Sequence, residues 1–413
     1  LRPLLLLSNG HGEDLSAALL ARELQKRGLA VEAMPLVGHG AAYRNAGIAL
    51  VQRSTREFST GGLGYTSLRG RFTELGQGQA LYLLGHLLWL WRWRRRYQLV
   101  VAVGDLVPVL AARLMGAPAA AYLVAYSSHY EGRLRLPFPC GLLLRSPCWR
   151  AIWSRDPLTA ADLSNQLRRP VRFLGNPFLD LVAEDGEGVE RKGWGQRQSL
   201  ALLPGSRQPE AGRNLSLMLR LLPLLPEPLQ RPDRLRLQAA LVSALSDDAI
   251  EALAEPLGWR LEAGGPDDDG APRVLRHDRL RLQLQRGQFV AVLRGSDLVL
   301  SMAGTAAEQA VGLARPVLQL AGLGPQFTAG FADAQRRLLG AGVLCAPGAP
   351  GHPDTLAASA ALAGDLLARL ADPDRGVAWR AHLSQLAAER IGAPGGSGRL
   401  AEAIMGLLEP TPR

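Results

Sequence analysis

The chain has 413 residues, of which 47% are hydrophobic and 20% charged, and its formal net charge is +10. That length exceeds one comfortable core and predicts two domains, and the composition excludes a disordered chain. Its cysteines, Cys140, Cys148 and Cys345, show no CxxC pairing, so neither a disulfide framework nor a zinc site is indicated and a reducing compartment is expected.

The first predicted strand, Pro3 to Leu7, runs directly into SNGHGED and a helix expected over Leu15 to Arg27. Gly28 ends that helix, and a second strand follows near Val31 to Pro35. The order is Rossmann-like, but the loop is not GxGxxG, so no dinucleotide site is supported. Asn9, Glu13 and Asp14 fall at the carboxyl end of the first strand, where open α/β sheets place ligands. His11 is either a general base, with an ordinary pKa near neutrality, or an exposed loop residue ahead of Asp14 as helix N-cap. Leu4 to Leu7 is too short for a signal-peptide core, and no apolar run is long enough to span a bilayer.

Ser54 to Gly78 reads as a long glycine-rich loop. Ala80 to Arg96 reads as a helix carrying Trp89, Trp91 and Trp93 above Arg92, Arg94, Arg95 and Arg96. It serves as a crossover into the next strand, and its outer face suits an anionic membrane interface. That strand, Leu99 to Val103, ends in Gly104 and Asp105, a carboxylate placed as a helix cap or as an active-site acid/base. A helix is expected from Val109 to Leu114, then a strand over Ala119 to Val124 and a loop holding His129, which lines the same site or is merely exposed. Leu143 to Arg150 fits no pattern, and Ala151 to Trp153 and Val171 to Leu174 read as the last strands of this half. Gly175, Asn176, Pro177 and Phe178 open the crossing to an acidic, aperiodic linker within residues 181–198.

The opening pattern then repeats, with Leu200 to Leu203 as strand, PGSRQPE as glycine turn and Ala211 to Leu222 as helix. Arg207 either pairs bidentately with a diphosphate or is a solvated turn arginine. Leu235 to Val242 and Arg260 to Leu261 are expected strands, and Gln288 to Leu293 a helix. Asp267, Asp268 and Asp269 lie in a Gly/Pro loop and read as a solvated turn, not a metal cluster. Leu298 to Leu300 is a buried strand that ends in the turn Ser301, Met302, Ala303, Gly304. Thr305 is expected to cap the next helix, with Glu308 either closing a capping box or facing a ligand. Unpaired N–H groups at that helix start suit a phosphate. Val317 to Leu320, the Gly324-Pro325-Gln326 loop, Val343 to Cys345 and two Ala/Leu-rich helices complete the chain. The expectation is α/β: two Rossmann-like domains with parallel sheets facing a central cleft, residues 1–180 and 199–397, with a last helix at about 398–410 packing on the first.

The motifs SNGHGED, Gly104-Asp105, GNPFLD, LLPGSRQPE and SMAGTAAEQ, in this order, resemble the lipid-A-disaccharide synthase family, and more closely its divergent relatives in cyanobacteria and plants. The resemblance covers nearly the whole chain, and LLPGSRQPE is its most specific part. It implies a GT-B fold with an N-terminal acceptor domain and a C-terminal donor domain. The implied activity is metal-independent, inverting transfer of a GlcNAc-type sugar from a UDP-sugar to a lipid-linked acceptor. No cofactor is implied, and the place is the cytoplasmic face of a membrane.

By this resemblance Gly205, Ser206 and Arg207 hold the diphosphate, with Ser301, Gly304 and Thr305 beside it. Glu308 binds the ribose, Gln326 the donor sugar or its neighbours, and Asp105 stands where the family has an essential Asp. The first loop departs from the family's GExSGD, and His11 is closer to the loop histidine of the peptidoglycan glycosyltransferase relatives, a proposed base there. The catalytic candidates are therefore His11 and Asp105, with Asn9, Glu13, Asp14, His129 and Asn176 on the acceptor side. Trp89, Trp91, Trp93, Arg94 and Arg95 would meet the membrane. The competing readings are a UDP-sugar 2-epimerase, whose DSGG-type motif is not seen, and a non-catalytic nucleotide-sugar-binding protein. No nucleic-acid-binding motif is present.

Overall fold

Four consecutive leucines, Leu4 to Leu7, are fully buried in β1 (Leu4–Ser8), as expected of a strand covered on both faces of a parallel sheet. The computed structural model describes residues 2–51, 85, 88–130, 132–183, 197–324 and 327–409. The expected loop at 54–78 and most of the expected linker, residues 184–196, lie outside them. The chain divides into two compact units, Leu1–Asp180 with Gly392–Arg413, and Leu181–Ile391.

In the first unit β1 is central. It is followed by β2 (Val31–Pro35), β3 (Ala49–Leu50), β4 (Leu99–Val103), β5 (Ala119–Leu123), β6 (Trp149–Ser154) and β7 (Arg172–Phe173). The seven strands lie in the order β3-β2-β1-β4-β5-β6-β7, all parallel. Helix His11–Lys26 packs on this sheet, and the chain's last helix, Gly396–Leu408, packs on that helix through Leu400, Ala401 and Ile404. Asp180 fixes the return, because its carboxylate accepts the backbone N–H of Gly395, Gly396 and Ser397 at 2.6, 3.1 and 2.7 Å. Those are the orphan donors of a helix start, here satisfied by a residue far away in sequence.

The second unit holds β8 (Gln198–Leu203), β9 (Leu235–Leu241), β10 (Arg260–Ala263), β11 (Arg273–His277), β12 (Leu280–Arg286), β13 (Leu298–Ser301), β14 (Val317–Gln319) and β15 (Val343–Cys345). Their order is β10-β11-β12-β9-β8-β13-β14-β15, parallel except for β10, β11 and β12, which meet antiparallel. The hairpin β11–β12 is absent from the sequence reading. It turns at Asp278, whose φ is +49°, and Leu280, Leu282 and Leu284 alternate inward behind an arginine and two glutamines.

Several local expectations are corrected. The first helix begins at His11 on a Gly10 N-cap, so Asp14 lies inside its first turns and is not the N-cap residue. Helix Leu106–Met115 starts directly at Asp105, whose side chain accepts from Val107 N–H. Helix Cys140–Leu144 and β6 occupy the stretch that fitted no pattern. Asp268 is no solvated turn residue. It is 1% exposed and bonded to Gly265 N–H and Arg276, while Asp269 pairs with Arg197 and Arg236. The hairpin supplies Arg276, which is why the loop alone could not announce the network. Among the described residues no helix is long and apolar enough to cross a membrane.

Candidate functional site

Because β1 pairs with β4 in register, Ser8 opposite Val103, the two carboxyl ends deliver their next residues side by side. Asn9 follows β1 and donates its side-chain amide to both oxygens of Asp105, at 3.2 and 3.1 Å. Asp105 also caps helix Leu106–Met115 through Val107 N–H at 2.9 Å. Beneath them Ser8 donates to Asp14 at 2.6 Å and lies 2.5 Å from the Tyr43 hydroxyl. A hydroxyl has one proton to give, so the chain runs from Tyr43 to Ser8 to Asp14.

Glu13 projects from the same helix over two glycines. A Cβ on Gly104 would stand 2.8 Å from Glu13 Cγ, and one on Gly10 2.9 Å from its Oε2. Both glycines also hold φ near +130°, which side chains rarely adopt. Burial first, and then the Asp105 charge, push the Glu13 carboxyl up to about 8. Burial likewise pushes Asp14 up to about 7, against the opposing Ser8 and Gly10 hydrogen bonds. Burial and the nearby Asp14 carry Tyr43 well above its ordinary range. The cluster therefore retains protons at neutral pH, a condition for acid/base chemistry.

Of the other expected residues in this unit, His11 opens the helix. His129 has its Nε2 3.7 Å from Asp156 Oδ1. Asp156 in turn caps helix Pro157–Leu167 and receives the Ser127 and Thr159 hydroxyls. Asn176 is buried and accepts Phe178 N–H at the start of helix Pro177–Ala183, a capping geometry. Sequence reasoning missed Ser8, Tyr43 and Arg155, the last of which opposes the Glu13 shift by its charge. Nothing local flags Tyr43, which reaches the cluster only through the fold.

In the second unit β8 and β13 are neighbours, and Met302 N–H bonds Leu203 C=O at 2.9 Å. Their two turns are therefore adjacent. Gly205 has φ +106°, with Ser206 exposed and Arg207 half-buried behind it. Asn214 steadies this turn through Pro204 C=O at 2.8 Å. Ser301 is spent on its own turn, bonding the Ala303 backbone in both directions at 3.2 Å. Helix Gly304–Gly312 begins on Ala303 without any side-chain cap. This corrects the Thr305 N-cap, and Glu308 is then no capping-box partner, although it is 6% exposed. Gln319 holds Gln335, and Gln335 holds Gly304 C=O, at 2.7 and 2.9 Å. Glu210 accepts Phe327 N–H at 2.6 Å and anchors the loop that precedes it, while Gln326 itself lies outside the described residues.

Residues 88–93 are helical, with Leu88, Trp91 and Trp93 60%, 57% and 40% exposed. Arg94 lies 4.6 Å over the Trp91 ring, and Trp89 and Trp93 stack at 6.0 Å. Residues 80–84, 86 and 87 of the expected helix lie outside the described set. Among the described residues no group of His, Cys, Asp or Glu is arranged to hold a metal ion.

No family model and no curated protein matches the sequence. Solved structures do match over the full length. The calicheamicin glycosyltransferase aligns with a TM-score of 0.58 at 15% identity, over 99% of this chain and 100% of that one. MurG of Acinetobacter baumannii aligns with 0.54 at 16%, over 98% and 99%. UDP-GlcNAc 2-epimerase from Neisseria meningitidis, bound to UDP-GlcNAc, aligns with 0.51 at 13%, over 98% and 99%. The class is thereby defined as the α/β GT-B fold of two Rossmann-like domains, common to glycosyltransferases and UDP-GlcNAc 2-epimerases.

Proposed function

We propose that the chain is an inverting, metal-independent glycosyltransferase that moves a GlcNAc-type sugar from a UDP-sugar to a lipid-linked acceptor, as its motifs' likeness to the lipid-A-disaccharide synthases implies. The observation that carries this reading is the pair of adjacent turns after β8 and β13, one bearing Arg207 and the other opening an uncapped helix. In this reading the second unit binds the donor. The N–H groups at Gly304 and Thr305 and the guanidinium of Arg207 take the diphosphate charge as the leaving bond breaks. Glu308 holds the ribose hydroxyls, and Gln326 serves the sugar. The first unit binds the acceptor, whose hydroxyl loses its proton to a base at the ends of β1 and β4, where His11 and Asp105 are the expected candidates. Trp91, Trp93 and the arginines at 92–96 hold the enzyme on the cytoplasmic face of an anionic membrane.

The test is incubation with UDP-GlcNAc, membrane lipid extract and EDTA, followed by separation of products. A glycosylated lipid with stoichiometric UDP is the expected result. A 2-epimer of the donor without lipid product establishes the epimerase instead, and binding without either product establishes a nucleotide-sugar-binding protein.

A further inference from the structure

We propose that Glu13, in place of His11 or Asp105, is the proton acceptor of the transfer assigned above, a role that rests on that reading. The carboxylates at the ends of β1 and β4 are not equivalent. Asp14 is held by the Ser8 hydroxyl and the Gly10 N–H. Asp105 is held by the Asn9 amide and by the helix start at Val107. Among the described residues Glu13 accepts only from its own N–H, so its oxygens remain available for an incoming hydroxyl.

A further fact points to a ligand at this place. Asn9 is 8% exposed, its Nδ2 is fixed on Asp105, and among the described residues its Oδ1 has no partner. A buried amide oxygen left unmatched is costly and is relieved by a donor arriving with the substrate. Gly10 and Gly104 leave room for the Glu13 side chain itself, which lies against both strand ends. Among the described residues the charged groups that act on Glu13 are Asp105 at the end of β4, Asp14 on its own helix and Arg155 after β6, and the titratable Tyr43 hydroxyl is coupled to it as well. The two carboxylates outweigh the guanidinium and, with burial, give Glu13 the proton affinity a base needs near neutrality.

The step balances as a single displacement. The acceptor oxygen forms its bond to the anomeric carbon while the bond from that carbon to the β-phosphate oxygen breaks. That electron pair departs with UDP. The acceptor's proton passes to Glu13 and then to solvent.

The probe is UDP-GlcNAc with water as acceptor, followed on the full chain from pH 5.5 to 9.5 for wild type, Glu13→Gln and Glu13→Asp, alongside the thermal shift given by UDP. The expected wild-type rate rises with pH to a plateau, with its midpoint near the Glu13 value of about 8. Glu13→Gln should lose about 100-fold or more and lose that limb, with the UDP shift intact, while Glu13→Asp keeps the limb at reduced rate. A wild-type rate and limb in Glu13→Gln, or a wild-type rate that falls above pH 8, overturns the proposal and leaves the donor reading standing. No UDP shift and no hydrolysis in the wild type overturns both. Carbon-13 NMR of carboxyl-labelled glutamate gives a readout without turnover: a resonance titrating near 8 should be missing from Glu13→Gln, and its persistence overturns the assignment.

Discussion

Asn9 Nδ2 lies 3.2 and 3.1 Å from the two oxygens of Asp105, so one amide ties the end of β1 to the end of β4. The negative charge held there is the second cause, after burial, of the raised Glu13 carboxyl. Asp105→Asn keeps a side chain that caps helices about as well and removes the charge. The expected outcome is a fold of nearly unchanged stability and an acid limb of UDP-GlcNAc hydrolysis displaced to lower pH. A limb at the wild-type position would mean that Asp105 and Glu13 are not coupled.

Stability should fall as pH rises through neutrality. Glu13 and Asp14 titrate at about 8 and about 7 in the folded chain, against roughly 4 when unfolded. Between those values the native state binds more protons than the unfolded one, so this contribution is complete below about pH 4 and is lost as pH climbs through the folded values. The lowered carboxyls of Asp162 and Asp247, held by hydrogen bonds, act oppositely and only in acid. The thermal midpoint should therefore decline from pH 5 to pH 8.5. Asp14→Asn should flatten that decline, and parallel curves for the two proteins would contradict it.

On the donor side the two turns make separable predictions. Arg207→Ala should lose most turnover, by about 100-fold, with an unchanged melting midpoint, because its half-buried side chain is a small part of the core. Glu308→Ala should abolish the thermal shift given by UDP, since shift follows affinity for the native state. Uridine should show the same dependence on Glu308, whereas pyrophosphate should depend on Arg207. A UDP shift that survives Glu308→Ala would remove Glu308 from the ribose.

What the sequence discloses follows from what a local pattern can encode. The strands β1, β4, β8 and β13 are legible because a parallel strand buried on both faces is a run of apolar residues. The hairpin β11–β12 is not, because Arg276, Arg281 and Gln283 interrupt it, and their merit depends on distant partners such as Asp268 and Arg236. Helix starts mislead for a related reason. Gly10 and Ala303 cap without a side-chain bond, and the nearby Asp14 and Thr305 are the residue types that ordinarily do so. At the candidate site Asn9 and Asp105 are visible singly, as polar residues after strands. Their pairing, and the placement of Tyr43 beneath Ser8, exist only once β1 lies beside β4.

The aspartate loop of the second unit should prove structural. Asp268 satisfies Gly265 N–H at 2.8 Å and Arg276 at 3.0 Å from a nearly fully buried position. Asp268→Ala leaves both donors short of a partner, at a cost of about 1–3 kcal/mol, with Glu262 still available to Arg276. Urea unfolding should show that loss with UDP binding unchanged at native conditions. A variant as stable as wild type would show that the network contributes nothing.

The exposed tryptophan face gives the last prediction. Leu88 and Trp91 are 60% and 57% exposed, so they contribute little packing, and truncating both should leave the melting midpoint within a degree or two. On a bilayer the same side chains bury apolar surface, and Arg92, Arg94 and Arg95 add roughly 1 kcal/mol each near anionic lipid. Leu88→Ala with Trp91→Ala should therefore weaken flotation with phosphatidylglycerol vesicles. Arg94→Glu with Arg95→Glu should weaken it further at low salt and less at high salt, because the charge contribution is screened. Phosphatidylcholine vesicles should bind poorly throughout. Equal flotation of wild type and both variants would separate this face from any membrane role and leave it as the outer side of a crossover helix.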